Sequence, residues 1–203
     1  MNSNMIELDV YGNPAIIPST INYLTELVKI YLNNKSNSIS FIDVNEANYY
    51  SYFTERVKSK KGIYSIYRVE SPMISDIRYN YIGSSYSKLS GRASKFARAI
   101  LGKNTAGDKD HRHYKTYIDK FGRNFDNTYI TFFELPREFS FVSEADIRKI
   151  EGNIIRYYRG LYGDVVVNVI DKPTVSMMTD RKKRMRQSDQ MNPSALELYY
   201  EHE

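Results

Sequence analysis

Cysteine is absent from this chain of 203 residues, which excludes a disulfide scaffold and any metal site with cysteine ligands. The absence also fits a reducing compartment. The chain holds no apolar stretch long enough to cross a membrane, and its first four residues lack the basic start and apolar core of a signal peptide. We find no internal repeat. We therefore expect a cytoplasmic protein with no membrane association.

Positive charge exceeds negative charge by 5, and the excess is concentrated in the middle of the chain. Residues 61–173 contain nineteen Lys and Arg against thirteen Asp and Glu, and residues 86–123 contain ten against three. The segments on either side, 1–60 and 174–203, are close to neutral. A concentrated basic segment predicts binding to a polyanion such as nucleic acid. The alternative is an ordinary solvated face of a basic helix.

Composition divides the chain into three regions. Residues 1–60 predict an N-terminal helical extension, residues 61–173 the main domain, and residues 174–203 a basic, flexible tail. The run Arg181 to Arg186 in the tail is either simply solvated or adds contacts to phosphate. In the N-terminal extension we expect a strand near Met5–Val10, a helix capped by Ser19 or Thr20, and a second helix over Asn45–Ser59.

Alternating polarity, turn residues and capping signals predict the order β-β-α-α-β-α-β for the main domain. The predicted elements are strands over Gly62–Glu70 and Tyr79–Ser85, a helix over Ser87–Leu101, a short helix ending at Phe121, a strand over Thr128–Leu135, a helix from the Ser143 capping box to about Arg159, and a strand over Asp164–Asp171. The fold class is therefore α+β, with a three-stranded antiparallel sheet flanked by helices and the last short strand at its margin.

The first two strands carry two related tripeptides, Gly62-Ile63-Tyr64 and Tyr81-Ile82-Gly83, with sixteen residues between them. Neighbouring strands bring Tyr64 and Tyr81 within reach of one phosphate. The chain has 19 tyrosines, however, and a tyrosine on a strand is commonly a packed amphipathic side chain.

Three further residues stand out on the elements that follow. Arg92 lies eleven residues after Tyr81, and an arginine binds phosphate with two parallel hydrogen bonds. Glu151 lies beside an apolar helical stripe, where a carboxylate is costly unless it binds a cation or a hydrogen-bond partner. Asn168 interrupts a Val-rich run, although asparagine is unfavourable in strands. The alternatives are a surface arginine, a glutamate that turns to solvent, and an asparagine that bonds its local backbone.

Taken together, these residues resemble the signature of the GIY-YIG nuclease family over about residues 62–170. The resemblance implies a GIY-YIG nuclease fold and a metal-dependent DNA endonuclease. Tyr64 would take the proton of the attacking water, while Tyr81 and Arg92 would position the phosphate. Glu151 would be the only protein ligand of one Mg²⁺ or Mn²⁺, and Asn168 would brace the site. Because the unperturbed pKa of tyrosine is about 10, nearby cations and a metal-bound water would have to lower the pKa of Tyr64, and we expect the basic surroundings to supply that charge.

The segment from His111 to Gly122 also resembles phage and mobile-element members of the family. It makes His111 and His113 further candidate catalytic residues near the phosphate or the leaving oxygen. We expect the basic segment to contact DNA through Lys88, Lys95, Arg98, Arg112 and Lys115.

Two positions depart from the family pattern. Phe96 stands where many members carry a histidine or tyrosine that assists the base, and Ser84 stands where many carry lysine. Either Lys95, His111, His113 or Tyr86 replaces the function missing at Phe96, or that function is absent.

The expected function is therefore site-specific hydrolysis of DNA phosphodiester bonds, of the restriction type or the phage and mobile-element homing type. One such domain nicks one strand, so double-strand cutting requires a homodimer or two sequential nicks. The alternative, which Phe96 and Ser84 favour, is a catalytically silent DNA-binding protein with the same fold.

Overall fold

A computed structural model of the protein describes residues 6–8, 14–16, 18–71, 76–103 and 112–168. Its strands are β1 (Ile6–Leu8), β2 (Pro14–Ile16), β3 (Ser38–Ser40), β4 (Gly62–Val69), β5 (Ile77–Ser85) and β6 (Thr128–Glu134). Its α-helices are α1 (Pro18–Asn33), α2 (Ser51–Thr54), α3 (Leu89–Ile100), α4 (Arg112–Phe121) and α5 (Glu144–Tyr162). The architecture is α+β, as predicted.

The main sheet has four antiparallel strands in the order β3-β6-β4-β5, so the prediction of a three-stranded sheet was wrong. The additional strand, β3, comes from the N-terminal region and pairs with β6. The hydroxyls of Ser38 and Thr131 lie 2.8 Å apart across this pair. Three half-buried residues are too few for a convincing alternation, and the pairing partner lies about ninety residues away in sequence. A separate two-stranded sheet consists of β1 and β2.

Helices cover both faces of the main sheet because its central strand is apolar on both sides. Ile63 of β4 belongs to a core shared with α1 and α5, which contains Leu24, Val28, Ile150 and Ile154. Ile66 of β4 belongs to a second core, on the α3 and α4 side, which contains Phe41, Phe53, Phe96, Ile100 and Tyr117. The strand is buried at seven of its eight positions, as expected for a strand between two helical layers.

The predicted helix over Asn45–Ser59 is reduced to the single turn of α2. The reason lies in the asparagines that precede it. The Asn45 side chain accepts hydrogen bonds from the backbone N–H of Ala47 and Asn48, and the Asn48 side chain accepts one from the N–H of Asn45. Such local bonds satisfy the backbone in a turn and compete with a helix.

The predicted last strand is also largely wrong within the described residues. A 3₁₀ turn covers Gly163–Val165, and a single parallel bridge joins Val166 to Asn80 on the outer edge of β5. Residues 169–203, which include the rest of this predicted strand and the basic run of the tail, lie outside the described residues.

The ends of the three main helices follow the predicted signals closely. Gly102 and Gly122 follow α3 and α4 with φ of 75° and 73°, a conformation that glycine adopts without strain. Ser143 caps α5 and accepts a hydrogen bond from the backbone N–H of Asp146 at 3.2 Å. In the part of the chain that the structure describes, no helix is both long and apolar enough to span a membrane.

Candidate active site at the end of the β4–β5 hairpin

The two tripeptides lie side by side because β4 pairs with β5 in antiparallel register. Tyr64 lies directly opposite Gly83, and the Tyr64 ring passes over that glycine. A Cβ at Gly83 would lie 2.4 Å from both Cζ and the hydroxyl oxygen of Tyr64. Gly62 has a different constraint, since a Cβ there would lie 2.2 Å from the Phe133 carbonyl oxygen of β6. Gly83 is therefore required in the second tripeptide, because a side chain there would overlap the Tyr64 ring of the first.

Tyr64 is 4% exposed, and its ring packs 6.1 Å from the ring of Tyr81 and 6.4 Å from that of Phe132. Within the described residues, no hydrogen bond engages the Tyr64 hydroxyl. A positioned hydroxyl without a protein partner is available to a bound molecule.

Tyr81 is half-buried and carries an aromatic neighbour from α4. The His113 imidazole stacks on the Tyr81 ring at 3.7 Å between centroids with an angle of 5° between planes. The backbone carbonyl of His113 also accepts a hydrogen bond from the Tyr79 hydroxyl at 3.2 Å. His113 therefore lies against Tyr81, whereas His111 lies outside the described residues, and a role for either histidine near the phosphate stays a prediction.

Arg92 is half-buried in the first turns of α3. Its positive charge lowers the pKa of Tyr64 and that of Glu151, so it acts on both groups. Within the described residues, Arg92 has no ion pair with a carboxylate. Its guanidinium charge is thus not committed to a fixed partner.

Glu151 reaches the same strand end from α5, between the buried Ile150 and Ile154. Its carboxylate accepts a hydrogen bond from the hydroxyl of Ser84, the residue that follows Gly83. Burial raises the pKa of Glu151, while the Ser84 hydrogen bond and the charges of Arg148 and Arg92 lower it in part. Ser84 therefore contacts the predicted metal ligand.

The pKa of Tyr64 is the main correction to the predicted chemistry. Burial raises it well above its usual value, and Tyr81, Tyr114 and Glu151 raise it further, while only Arg92 acts in the opposite direction. The expectation that basic surroundings lower this pKa was therefore wrong for the protein alone. Gly83 leaves room for the Tyr64 ring to be buried. The resulting desolvation raises the pKa of Tyr64 more than the single charge of Arg92 lowers it.

Asn168 binds the outer edge of β5 through both atoms of its side-chain amide. Its Oδ1 accepts from the Ile82 N–H at 2.8 Å, and its Nδ2 donates to the Ile82 carbonyl at 2.6 Å. The Asn168 carbonyl in turn accepts a hydrogen bond from Arg159. The side-chain amide therefore makes the two hydrogen bonds to Ile82 that a neighbouring strand would otherwise make. These bonds hold the backbone of the Tyr81-Ile82-Gly83 tripeptide in place.

Phe96 packs in the core between Phe41, Tyr114 and Tyr117 and has no contact with solvent. Its neighbour Tyr114 was not among the predicted site residues. Arg92 and Arg98 lower the pKa of Tyr114, although burial and Tyr81 raise it more strongly. A hydroxyl from α4 therefore lies in the same environment as Tyr81 and Arg92. Tyr114 comes close to Tyr81 and Arg92 only through the fold, so no residue spacing in the sequence indicates it as a site residue.

The predicted DNA contacts fall into three groups. Lys88 is the N-cap residue of α3, and Arg92 and Lys95 lie three residues apart on one face of the helix, with both lysines exposed. Lys115 is exposed on α4, while Arg98 is half-buried. The side chain of Arg112 lies outside the described residues. Exposed lysines therefore lie both before and after Arg92 along the chain.

The donor set at Glu151 fits a hard divalent cation. Among the described residues, no three His, Asp or Glu side chains converge as a metal cluster. A single carboxylate completed by water is nevertheless a usual environment for Mg²⁺, which retains several waters. Because burial penalises the Glu151 charge more than its neighbours neutralise it, a nearby cation would stabilise the ionised carboxylate.

Comparisons with protein-family models, with curated proteins and with solved structures found no match to this chain.

Proposed function

We propose that this protein is a metal-dependent DNA endonuclease of the GIY-YIG kind, which hydrolyses one phosphodiester bond at the end of the β4–β5 hairpin. One observation supports this most strongly. Tyr64 from β4, Arg92 from α3 and Glu151 from α5 come from three separate elements and share one electrostatic environment. A hydroxyl and a guanidinium that no described residue holds in a hydrogen bond or ion pair, beside a buried carboxylate, are the groups that phosphoryl transfer to water requires.

In the proposed reaction the Arg92 guanidinium binds the scissile phosphate and stabilises the charge that develops on its oxygens. Tyr81 is held against Tyr64 on one side and His113 on the other, so its hydroxyl has a fixed direction for orienting water or phosphate. The raised pKa of Tyr64 makes its hydroxyl a hydrogen-bond donor in the resting protein. It can take a proton from the attacking water only as the phenolate, after positive charge nearby has lowered that pKa and the hydroxyl has released its own proton to solvent.

Glu151 is the residue that would hold Mg²⁺ or Mn²⁺, with its carboxylate oriented by the Ser84 hydroxyl. When bound, the cation supplies positive charge that stabilises the leaving oxygen. Asn168 keeps the backbone between Tyr81 and Gly83 in place. Tyr114 lies where its hydroxyl can complete the hydrogen bonding that Phe96 cannot provide.

The test is incubation of supercoiled plasmid and phage DNA with the purified protein in Mg²⁺, Mn²⁺ or EDTA. Glu151→Ala and Tyr64→Phe proteins are compared with the wild type. The proposal predicts metal-dependent nicking that both substitutions abolish, with DNA binding retained. Discrete fragments would indicate site-specific cutting, and a smear would indicate general degradation.

Two results would contradict the proposal in different ways. Cutting that survives Glu151→Ala would show that Glu151 is not the metal ligand that the reaction needs. Salt-sensitive DNA binding without cutting, in either metal and on all substrates, would replace the nuclease with a silent DNA-binding protein.

A further inference from the structure

Two exposed tyrosines, Tyr50 and Tyr86, each carry a lysine against the ring beside the candidate site. Tyr50 is 53% exposed, and the Lys88 ammonium lies 4.5 Å from its ring centroid and donates a hydrogen bond to its hydroxyl. Tyr86 is 40% exposed, and the Lys61 ammonium lies 4.2 Å from its ring centroid. We call these four residues the tyrosine–lysine pairs. Tyr50 and Lys61 lie outside the basic segment 86–123, so the charge pattern of the sequence does not indicate them.

The pairs border the site because of their positions on the strands and on α3. Lys61 directly precedes β4, whose first residue pairs with Ser85 at the end of β5. Tyr86 follows two residues after Ser84, a distance of about 7 Å along an extended chain. Lys88 is the N-cap residue of α3 and lies one helical turn before Arg92, a rise of about 6 Å. Both pairs therefore adjoin the elements that carry Ser84 and Arg92.

The charges of the pairs remain available to a partner. Among the described residues, no carboxylate forms an ion pair with Lys61 or Lys88. Lys61 is held in place by the backbone carbonyls of Ser140 and Val142, at 2.7 and 3.4 Å. Further cations precede it at Arg56, Lys58 and Lys60, without an acidic residue between them. The surface thus combines fixed cations with exposed aromatic rings.

We propose that the tyrosine–lysine pairs bind unpaired nucleotides next to the cut, so that the protein prefers DNA with a single-stranded segment at that place. Exposed aromatic rings stack on bases of any sequence, and adjacent cations neutralise the backbone phosphates. A fully paired duplex presents only phosphates to this surface, since its bases are stacked on each other. The proposal rests on the proposed function in that the bound strand is the one to be cut.

The test measures binding by fluorescence anisotropy, with the full chain in EDTA so that no cutting occurs. The probes are a blunt duplex and the same duplex with an unpaired thymine tail. The wild type is expected to bind the tailed duplex more tightly. Tyr50→Leu and Tyr86→Leu are expected to weaken binding to the tailed duplex by roughly 5- to 100-fold and to the blunt duplex by less than about twofold.

Matched variants separate stacking from charge and from general damage. Tyr50→Phe and Tyr86→Phe keep the ring and are expected to retain the preference for the tail. Tyr23→Leu removes a tyrosine of similar exposure, 49%, from α1, where its ring packs on Phe139, and is expected to leave the preference for the tail unchanged. Lys88→Gln is expected to weaken binding to both probes. It should also reduce the slope of log affinity against log salt concentration by about one.

Equal affinity of the wild type for tailed and blunt duplexes would overturn the proposal without any variant. Equal losses on both probes in Tyr50→Leu and Tyr86→Leu would also overturn it. Cutting of paired plasmid is a separate readout. A protein that prefers the tailed duplex but cuts no plasmid would refute the proposed nuclease and support the binding surface. A protein that cuts plasmid but shows no preference for the tailed duplex would refute only the binding surface.

Discussion

Substitution of Gly83 by alanine perturbs the candidate site through a single methyl group aimed at Tyr64. The new Cβ would lie 2.4 Å from Cζ and the hydroxyl oxygen of Tyr64 and 2.7 Å from its Cε1, well inside van der Waals contact. The ring is rigid and has Phe132 and Tyr81 as neighbours. We expect Gly83→Ala to displace the Tyr64 hydroxyl and to reduce DNA cutting by at least about tenfold, which corresponds to about 1.4 kcal/mol of barrier.

The energetic cost follows from overpacking. Forcing a methyl group into a packed interior typically costs about 1–3 kcal/mol. For a chain of this length, each kcal/mol lowers the melting temperature by about 2–4 °C. The variant should therefore melt at a temperature lower by about 2–12 °C and remain folded at about 25 °C.

Two other glycines provide matched controls. Gly62→Ala places its Cβ against the Phe133 backbone carbonyl rather than against the Tyr64 side chain, so we expect a loss of stability at least as large as for Gly83→Ala, with a smaller loss of cutting per kcal/mol. Gly152 lies on α5, where an added Cβ would have no neighbour within 4 Å. Gly152→Ala should raise stability by about 0.5–1 kcal/mol because alanine is the better helix former.

The assay combines urea unfolding with the initial rate of plasmid nicking at room temperature for the three variants. If Gly83→Ala cuts at the wild-type rate while it loses the expected stability, the Tyr64 hydroxyl has no role at its present place. That result would refute the reasoning about the tyrosine and the glycine together.

Three further predictions concern the neighbours of the strand end. Burial raises the pKa of Glu151 above its ordinary 4.5, so the folded state holds this proton more tightly and stability falls as pH rises through the raised pKa. Glu151→Gln should therefore be more stable than the wild type to urea at neutral pH in EDTA, and Mg²⁺ should stabilise only the wild type. Ser84→Ala removes a hydrogen bond that lowers the same pKa, so the pH profile of cutting should shift to higher pH. Asn168→Ala leaves the N–H and carbonyl of Ile82 without their side-chain partner and should cost about 1–3 kcal/mol in urea unfolding.

The predictable part of the fold consists of elements with a strong local signal. The strands around Tyr64 and Tyr81 are rich in Ile and Tyr, Ser143 caps α5, and Gly102 and Gly122 end the two helices before β6. Each of these signals acts over a few residues, so the sequence alone carries it.

The elements that were missed depend on distant partners or on competing local bonds. β3 is a strand because β6 offers it a free edge, which no residue in its own neighbourhood indicates. The turn at Asn45 and Asn48 replaces a helix because the two side chains bond the backbone. At the candidate site, the sequence was enough to name Tyr64, Arg92 and Glu151 as candidates, whereas the Ser84–Glu151 bond and the high pKa of Tyr64 depend on burial that only the fold produces.

The most direct test of the central claim is the rate of plasmid nicking in Mg²⁺ by Glu151→Gln beside the wild type. Glutamine keeps the shape of the side chain and an oxygen for the Ser84 hydroxyl, but it removes the negative charge that would hold the cation. The account predicts metal-dependent nicking by the wild type and none by a folded, DNA-binding Glu151→Gln protein. Equal nicking by the two proteins would contradict it.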